Sequence, residues 1–182
     1  MAKQYIGIKR VWYANPIASI TGASLSGAEI KALIDNAATK EVKNVHQDTW
    51  GYAEDDPTIA EYRNQLTGKI YYRDVEQEGA ATISFTMGEY EYSDKAALQG
   101  GTATTTGWDR PAIKENISKC IIAQTKTGNY IVFPNASIIG KGNFTDKNIG
   151  LGVTAVAMET GVTGLSAEVW RDKSEVETVP AG

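Results

Sequence analysis

The side chains that could carry acid–base, nucleophilic or metal chemistry are few in this chain. His46 is the single histidine and Cys120 the single cysteine. A zinc site of the usual ligand count cannot be assembled from them, and a nucleophile–base pair would rest on His46 alone, with no nucleophile-elbow motif to present a serine. Cys120 stands among Ile117, Ile121 and Ile122, where a thiol acts as a small buried apolar group. With no second cysteine there is no intramolecular disulfide, which fits a reducing cytoplasm. Glu54-Asp55-Asp56 offers carboxylates to a hard cation, but the spacing is not that of an EF-hand loop, and three consecutive acids commonly form a solvated turn. Gly100-Gly101 lacks the Lys-Ser or Lys-Thr ending of a phosphate loop and reads as a helix stop. Asn116-Ile117-Ser118, Asn135-Ala136-Ser137 and Asn143-Phe144-Thr145 satisfy the glycosylation sequon, which has meaning only in an exported chain; here they read as strand-end or turn chemistry. The expectation is a protein with no catalytic residues, no metal and no cofactor.

The elements are legible around a β-rich second half. Ile117–Gln124 and Tyr130–Phe133 read as a hairpin closed by Thr127-Gly128-Asn129. The chain continues through Asn135-Ala-Ser-Ile-Ile139, an expected loop at 140–147, and a returning apolar segment, 148–159. Upstream, Lys69–Val75 and Ala81–Met87 read as strands about a turn at 76–79. In the second of these, Ile83, Phe85 and Met87 share one face and Thr82, Ser84 and Thr86 the other. Lys3–Tyr13 is expected to be a first strand and Leu165–Trp170 a last one. One long helix is expected over about 27–38: Ser26 and Glu29 have capping-box spacing, Leu25 can staple onto Ile30, and Ile30, Leu33, Ile34 and Ala37 form its apolar packing face. A short helical turn capped by Ser93 is expected to end at Gly100.

Between 41 and 67 the pattern degrades. His46 to Tyr62 mixes large aromatics, acids and a proline, and reads as a long excursion, of the kind that is more often functional than idle in a compact domain. Tyr and Trp concentrate at the centres of protein interfaces. Trp50, Tyr52 and Tyr62 are therefore expected anchors of an assembly loop with Asp55, Asp56 and Pro57 at its tip, the alternative being that the aromatics cover the edge of the core. The tail, 171–182, is expected to be mobile.

At 182 residues and a net charge of −4, one domain with a sizeable core is expected. Tight binding of nucleic acid needs clustered Lys and Arg, which an acidic chain of this kind does not offer. No segment is apolar and long enough for a bilayer-spanning helix or a cleaved signal, so a soluble protein with no membrane partner is expected.

One run of features resembles a known family. The early capped helix, the long aromatic–acidic loop, Asn64-Gln-Leu-Thr-Gly-Lys-Ile-Tyr-Tyr72, Thr82-Ile-Ser-Phe-Thr-Met-Gly88, Lys95-Ala-Ala-Leu-Gln-Gly-Gly101, and Phe133-Pro-Asn-Ala-Ser-Ile-Ile139 leading to Asn148-Ile-Gly-Leu-Gly-Val-Thr-Ala155 are similar to bacteriophage major tail tube proteins. The resemblance covers about Ser26 to Glu159. It implies a mainly β fold with one flanking α-helix (α+β), a β-sandwich or half-barrel, whose subunits form hexameric rings stacked into a tube. Viral DNA would pass through the lumen without specific binding. It further implies a location in the virion tail after synthesis in the host bacterial cytoplasm, with tape-measure, terminator and baseplate or initiator proteins as partners. Closing sheets into a ring would also remove the open strand edges that invite aggregation. An Hcp-like inner-tube protein of a contractile injection or type VI secretion system would share the ring architecture, and a fimbrial or adhesive subunit would share the composition.

Overall fold

Alternating apolar residues on long strands leave this chain little choice but a sheet, and the computed structural model, which describes residues 2–177, is built around one. In chain order the elements are β1 (Arg10–Ala14), α1 (Gly27–Asp35), β2 (Lys40–Glu41), β3 (Asn44–Val45), β4 (Gly51–Glu54), β5 (Thr58–Arg63), β6 (Ile70–Gln77), β7 (Ala81–Glu89), α2 (Tyr92–Gln99), β8 (Thr102–Ala103), β9 (Trp108–Asp109), β10 (Ile117–Gln124), β11 (Tyr130–Thr145), β12 (Asn148–Ala157), β13 (Val169–Arg171) and α3 (Lys173–Glu177). The molecule is mainly β with few helices. A nine-stranded antiparallel sheet runs β2-β1-β10-β11-β12-β7-β3, with β4 also on β7 and β13 on β11; β5 with β6, and β8 with β9, form separate two-stranded pairs.

The sheet carries two apolar layers. Ile83, Phe85, Met87, Leu151, Val153 and Ala155 point to one side, where they join Val11, Tyr13, Ile121 and Phe133 under α2. The other side is covered only across β1, β10 and the start of β11, where Trp12, Cys120, Ile122 and Val132 meet Leu25 and Ile30 of the α1 region and Val176 of α3. A bulge joins the two regimes. Lys119 faces Ala136 and Ile121 faces Phe133, so β11 carries one extra residue at Pro134-Asn135. Before it, odd residues face the first layer; after it, even residues do, because an inserted residue reverses a period of two. Proline is tolerated there because a bulge does not require its missing N–H.

The helices follow their local signals. Ser26 caps α1: Glu29 N donates to Ser26 Oγ, and Ser26 N donates to Glu29 Oε2 at 2.8 Å. α2 lies close against β11; a Cβ on Gly140 would stand 2.4 Å from the Leu98 carbonyl oxygen, so only glycine permits that approach. Tyr13 Oη donates to Asp94 Oδ1 at 2.5 Å and fixes the start of α2 to the sheet.

Several sequence expectations change. The first strand is Arg10–Ala14, shorter than Lys3–Tyr13. The expected loop at 140–147 is strand almost throughout: β11 runs unbroken to Thr145 and turns at Asp146-Lys147, both at positive φ (48° and 65°) as a tight two-residue hairpin requires. Glycines at 140 and 142 suggested a loop, yet here they admit a neighbour or simply sit in an antiparallel ladder. α1 stops at Asp35, leaving Ala37 exposed beyond it, so Ala37 is not part of the packing face; Ile30 is fully buried, and Leu33 and Ile34 are half-buried against the second layer. The residue before α2 is Glu91, not Ser93, and its backbone N–H donates to Asp94 Oδ2. In the tail, residues 171–177 end β13 and form α3 with Val176 buried, because Val176 completes the layer under α1; residues 178–182 lie outside the described ones.

Candidate assembly surface

The excursion expected over 41–67 is divided in two by the structure. Its first part belongs to the sheet. β4 pairs with β7, placing Tyr52 opposite Ile83 and Gly51 opposite Ser84. The Trp50 ring stacks on Phe85 with centroids 6.3 Å apart, and Tyr52 meets Trp170 edge-on at 5.6 Å. Tyr52 Oη donates to Glu168 Oε1 at 2.8 Å, and burial with that bond pushes its phenol well above the usual range. Trp50 and Tyr52 therefore cover the edge of their own core and are not free anchors. The physical reason is that Tyr52 lies on the β7-facing strand and Trp50 just before it, two residues apart, at the period that points to the apolar layer. Asp55, Asp56 and Pro57 are exposed but stand at the base of the excursion, not its tip; Asp55 N donates to the Ala80 carbonyl at 3.0 Å.

The second part is an arm. β5 and β6 pair with one another in a register of Ile59 with Val75, Glu61 with Arg73, and Tyr62 with Tyr72, with irregularities at each end. Both strands expected about the 76–79 turn are present, but they do not pair with each other: β6 returns along β5, and β7 joins the main sheet. Among the described residues the arm pairs with no other strand. It carries apolar groups on both faces. Ile59, Ile70 and Val75 lie exposed, Tyr62 and Tyr72 touch at 5.7 Å, Tyr71 is exposed, and Leu66 in the connecting turn is 95% exposed. Two strands alone are marginal in water, and a large exposed apolar surface ordinarily marks an interaction site. Of the six residues expected to carry assembly, only Tyr62 is on the arm.

At the arm's base the chain crosses itself tightly. A Cβ on Gly79 would stand 1.6 Å from the Asp55 carbonyl oxygen, so the two legs can enter and leave side by side only with glycine there.

The remaining candidates have structural places. His46 Nε2 lies 2.9 Å from Asp146 Oδ2, and Gln47 Nε2 donates to the same oxygen. The bond to His46, then that to Gln47, holds the Asp146 carboxyl below its usual range. This contact ties the β11–β12 turn to the chain ahead of β4, and nothing in local sequence announces a pair 100 residues apart. The Cys120 thiol is enclosed, and burial pushes it up to about 12. Among the described residues, no group of three or more His, Cys, Asp and Glu is placed to hold a metal, and no helix is long and apolar enough to cross a membrane.

The side of β7, β12 and late β11 that the second layer leaves uncovered is a hydroxyl surface. Cross-strand rows place Ser137 beside Val156 and Thr82, and Ile139 beside Thr154 and Ser84, all half-buried except the exposed Ile139. Lys141 is the one charged side chain in these rows and the next.

No protein-family model matches the chain, and no curated protein matches it at a significant level.

Proposed function

We propose that this chain is the repeating structural subunit of a tube, of the kind formed by bacteriophage major tail proteins: hexameric rings stacked around a lumen through which viral DNA passes. The observation that carries the reading is the arm, Thr58–Gln77, a hairpin with apolar residues on both faces that nothing among the described residues covers. A sequence retains such a surface when a partner buries it, and a protein made in many copies has itself as the partner at hand. The hydroxyl face of the sheet supports the same reading, since a wall past which DNA slides must offer no cationic cluster to phosphate. The resemblance of Phe133-Pro-Asn-Ala136 and Gly150-Leu-Gly-Val-Thr-Ala155 to tail tube strands is the third support. On this reading the chain does no catalysis, works without cofactor, and resides in the virion tail.

The test is assembly itself. Purified protein is concentrated, with and without short sheared tubes as seeds, and followed by sedimentation velocity and negative-stain microscopy. Rings or hollow tubes are expected. A chain that stays monomeric to its solubility limit and through seeding overturns the reading.

A further inference from the structure

The α1 side of the sheet holds a polar cleft. It opens where β1 and β2 meet the end of β10 and the start of β11, is bounded by α1 and the end of α3, and encloses about 410 Å³, a volume in the range of small-molecule sites. Its walls are two ion pairs. Arg10 forks onto Glu41, Nε to Oε1 and Nη2 to Oε2 at 2.7 Å each, with its guanidinium 4.5 Å over the Trp12 ring, and Lys31 pairs with Asp35. Its floor is amide and aromatic. Gln124 Nε2 donates to Tyr130 Oη and to Glu177 Oε1, both at 2.9 Å, with Gln124 and Tyr130 enclosed. Two polar atoms of this floor are left over. Trp12 is 2% exposed and Gln124 3%, yet among the described residues nothing accepts from the Trp12 indole N–H and nothing donates to Gln124 Oε1. Polar groups so deeply placed ordinarily find partners. Neither atom is shut off from solvent, since among the described residues Gln99 Oε1 is the one side-chain atom both enclosed and unpaired. The little of each residue that stays open meets the cleft that both line.

We infer that this cleft binds a neutral polyhydroxylated ligand, a mono- or disaccharide unit, whose hydroxyls bond Gln124 Oε1, the Trp12 indole N–H and the outer atoms of the two ion pairs. The charge balance selects a neutral ligand. Lys9, Arg10 and Lys31 line the cleft together with Asp35, Glu41 and Glu177, so an ion of either sign meets its own charge there. A hydroxyl suits both, because it donates to a carboxylate and accepts from a cation. Shape selects a polyol. Guanidinium, carboxylate and carboxamide are planar forks, and vicinal hydroxyls present two oxygens side by side to match them. Stacking is closed off: Arg10 lies over Trp12, whose ring is otherwise enclosed, and Tyr130 is buried, so a nucleobase finds no open ring face. Lys9, on the exposed rim and in no ion pair among the described residues, is the free donor at the mouth. The inference stands apart from the tube reading, since every lining residue comes from one chain.

The test titrates the whole chain with glucose, galactose, N-acetylglucosamine and cellobiose. Binding is followed by calorimetry and by the Trp12 indole N–H signal in nitrogen-correlated NMR, assigned with Trp12→Phe. At least one of the four is expected to bind with a Kd below about 10 mM, as a few neutral hydrogen bonds in an open cleft allow, and to move that signal. Inorganic phosphate and glycine betaine at equal concentration are expected to leave it still. Gln124→Met keeps the volume and removes the amide, and should weaken binding about tenfold. Lys9→Ala, on the exposed rim, should weaken it about threefold while the circular dichroism stays that of the parent. If Gln124→Met does not fold, Lys9→Ala and the indole signal decide. The site is overturned if none of the four saccharides binds at about 50 mM, if binding leaves the indole signal unmoved, or if Lys9→Ala binds as the parent does. A stronger response to phosphate or betaine than to any saccharide overturns it as well.

Discussion

Among single residues, Glu29 has the most to say about stability. Its carboxylate accepts from the backbone N–H of Ser26 and of Thr21, which hold its pKa down at about 2. Because the folded value lies below the unfolded one, this stabilisation is complete above about pH 4.5 and drains away as pH falls towards about 2. Glu29→Gln should therefore lower the urea midpoint by a constant amount above about pH 5 and by progressively less below it; a difference that is the same at pH 7 and at pH 2.5 contradicts the assignment. The helix face makes a second prediction. Ile30→Ala should cost about 2–5 kcal/mol, since the side chain is fully enclosed. Leu33→Ala and Ile34→Ala, each half-buried, should cost nearer 1 kcal/mol. Equal losses at the three positions in denaturant titrations would show that the second layer packs otherwise.

On the proposed reading, the arm separates folding from assembly as an element. Among the described residues no other strand pairs with it, so replacing Thr58–Gln77 by a Gly-Ser linker should move the unfolding free energy by less than about 1 kcal/mol, as for surface changes in general. Its amides should exchange with deuterium far sooner than those of β10, β11 and β12 in the free subunit, and become protected when subunits associate, because an isolated pair of strands opens readily. Arm amides as slow as those of β11 in the free subunit would mean that the arm is held by its own chain. Gly79→Val probes the crossing at the base. The added carbons meet the Asp55 carbonyl, so the legs must splay, and assembly should fall more than stability does.

For the molecule as a whole, charge decides the relation to DNA. The chain carries a net charge of −4, and the uncovered hydroxyl face holds the single cation Lys141 in its rows. Phosphate contacts contribute a salt slope of about 0.9 each and need clustered cations. No binding of a duplex is expected at physiological salt in a titration followed by fluorescence anisotropy. Submicromolar affinity there would replace a conduit with a nucleic-acid-binding module.

The sequence alone determined whatever depends on neighbours along the chain: the capping box at Ser26 and Glu29, the hairpin at Thr127–Asn129, and the two-faced strand at Ala81–Met87. These are set by hydrogen bonds and side-chain periods spanning a few residues. Tertiary structure decided which strand met which. Lys69–Val75 has the pattern of a core strand, yet β6 folds back on β5, and alternation says which side chains share a face without saying whether anything covers that face. The same limit separated the aromatics of 41–67, since the ladder of β4 with β7 brings Tyr52, and Trp50 just before it, to the core while Tyr62 is carried out on the arm. It also made a strand of the glycine-rich 140–145. Glycine there signals either a turn or the close approach of another element, and only the position of Leu98, some forty residues earlier, shows that it is the second.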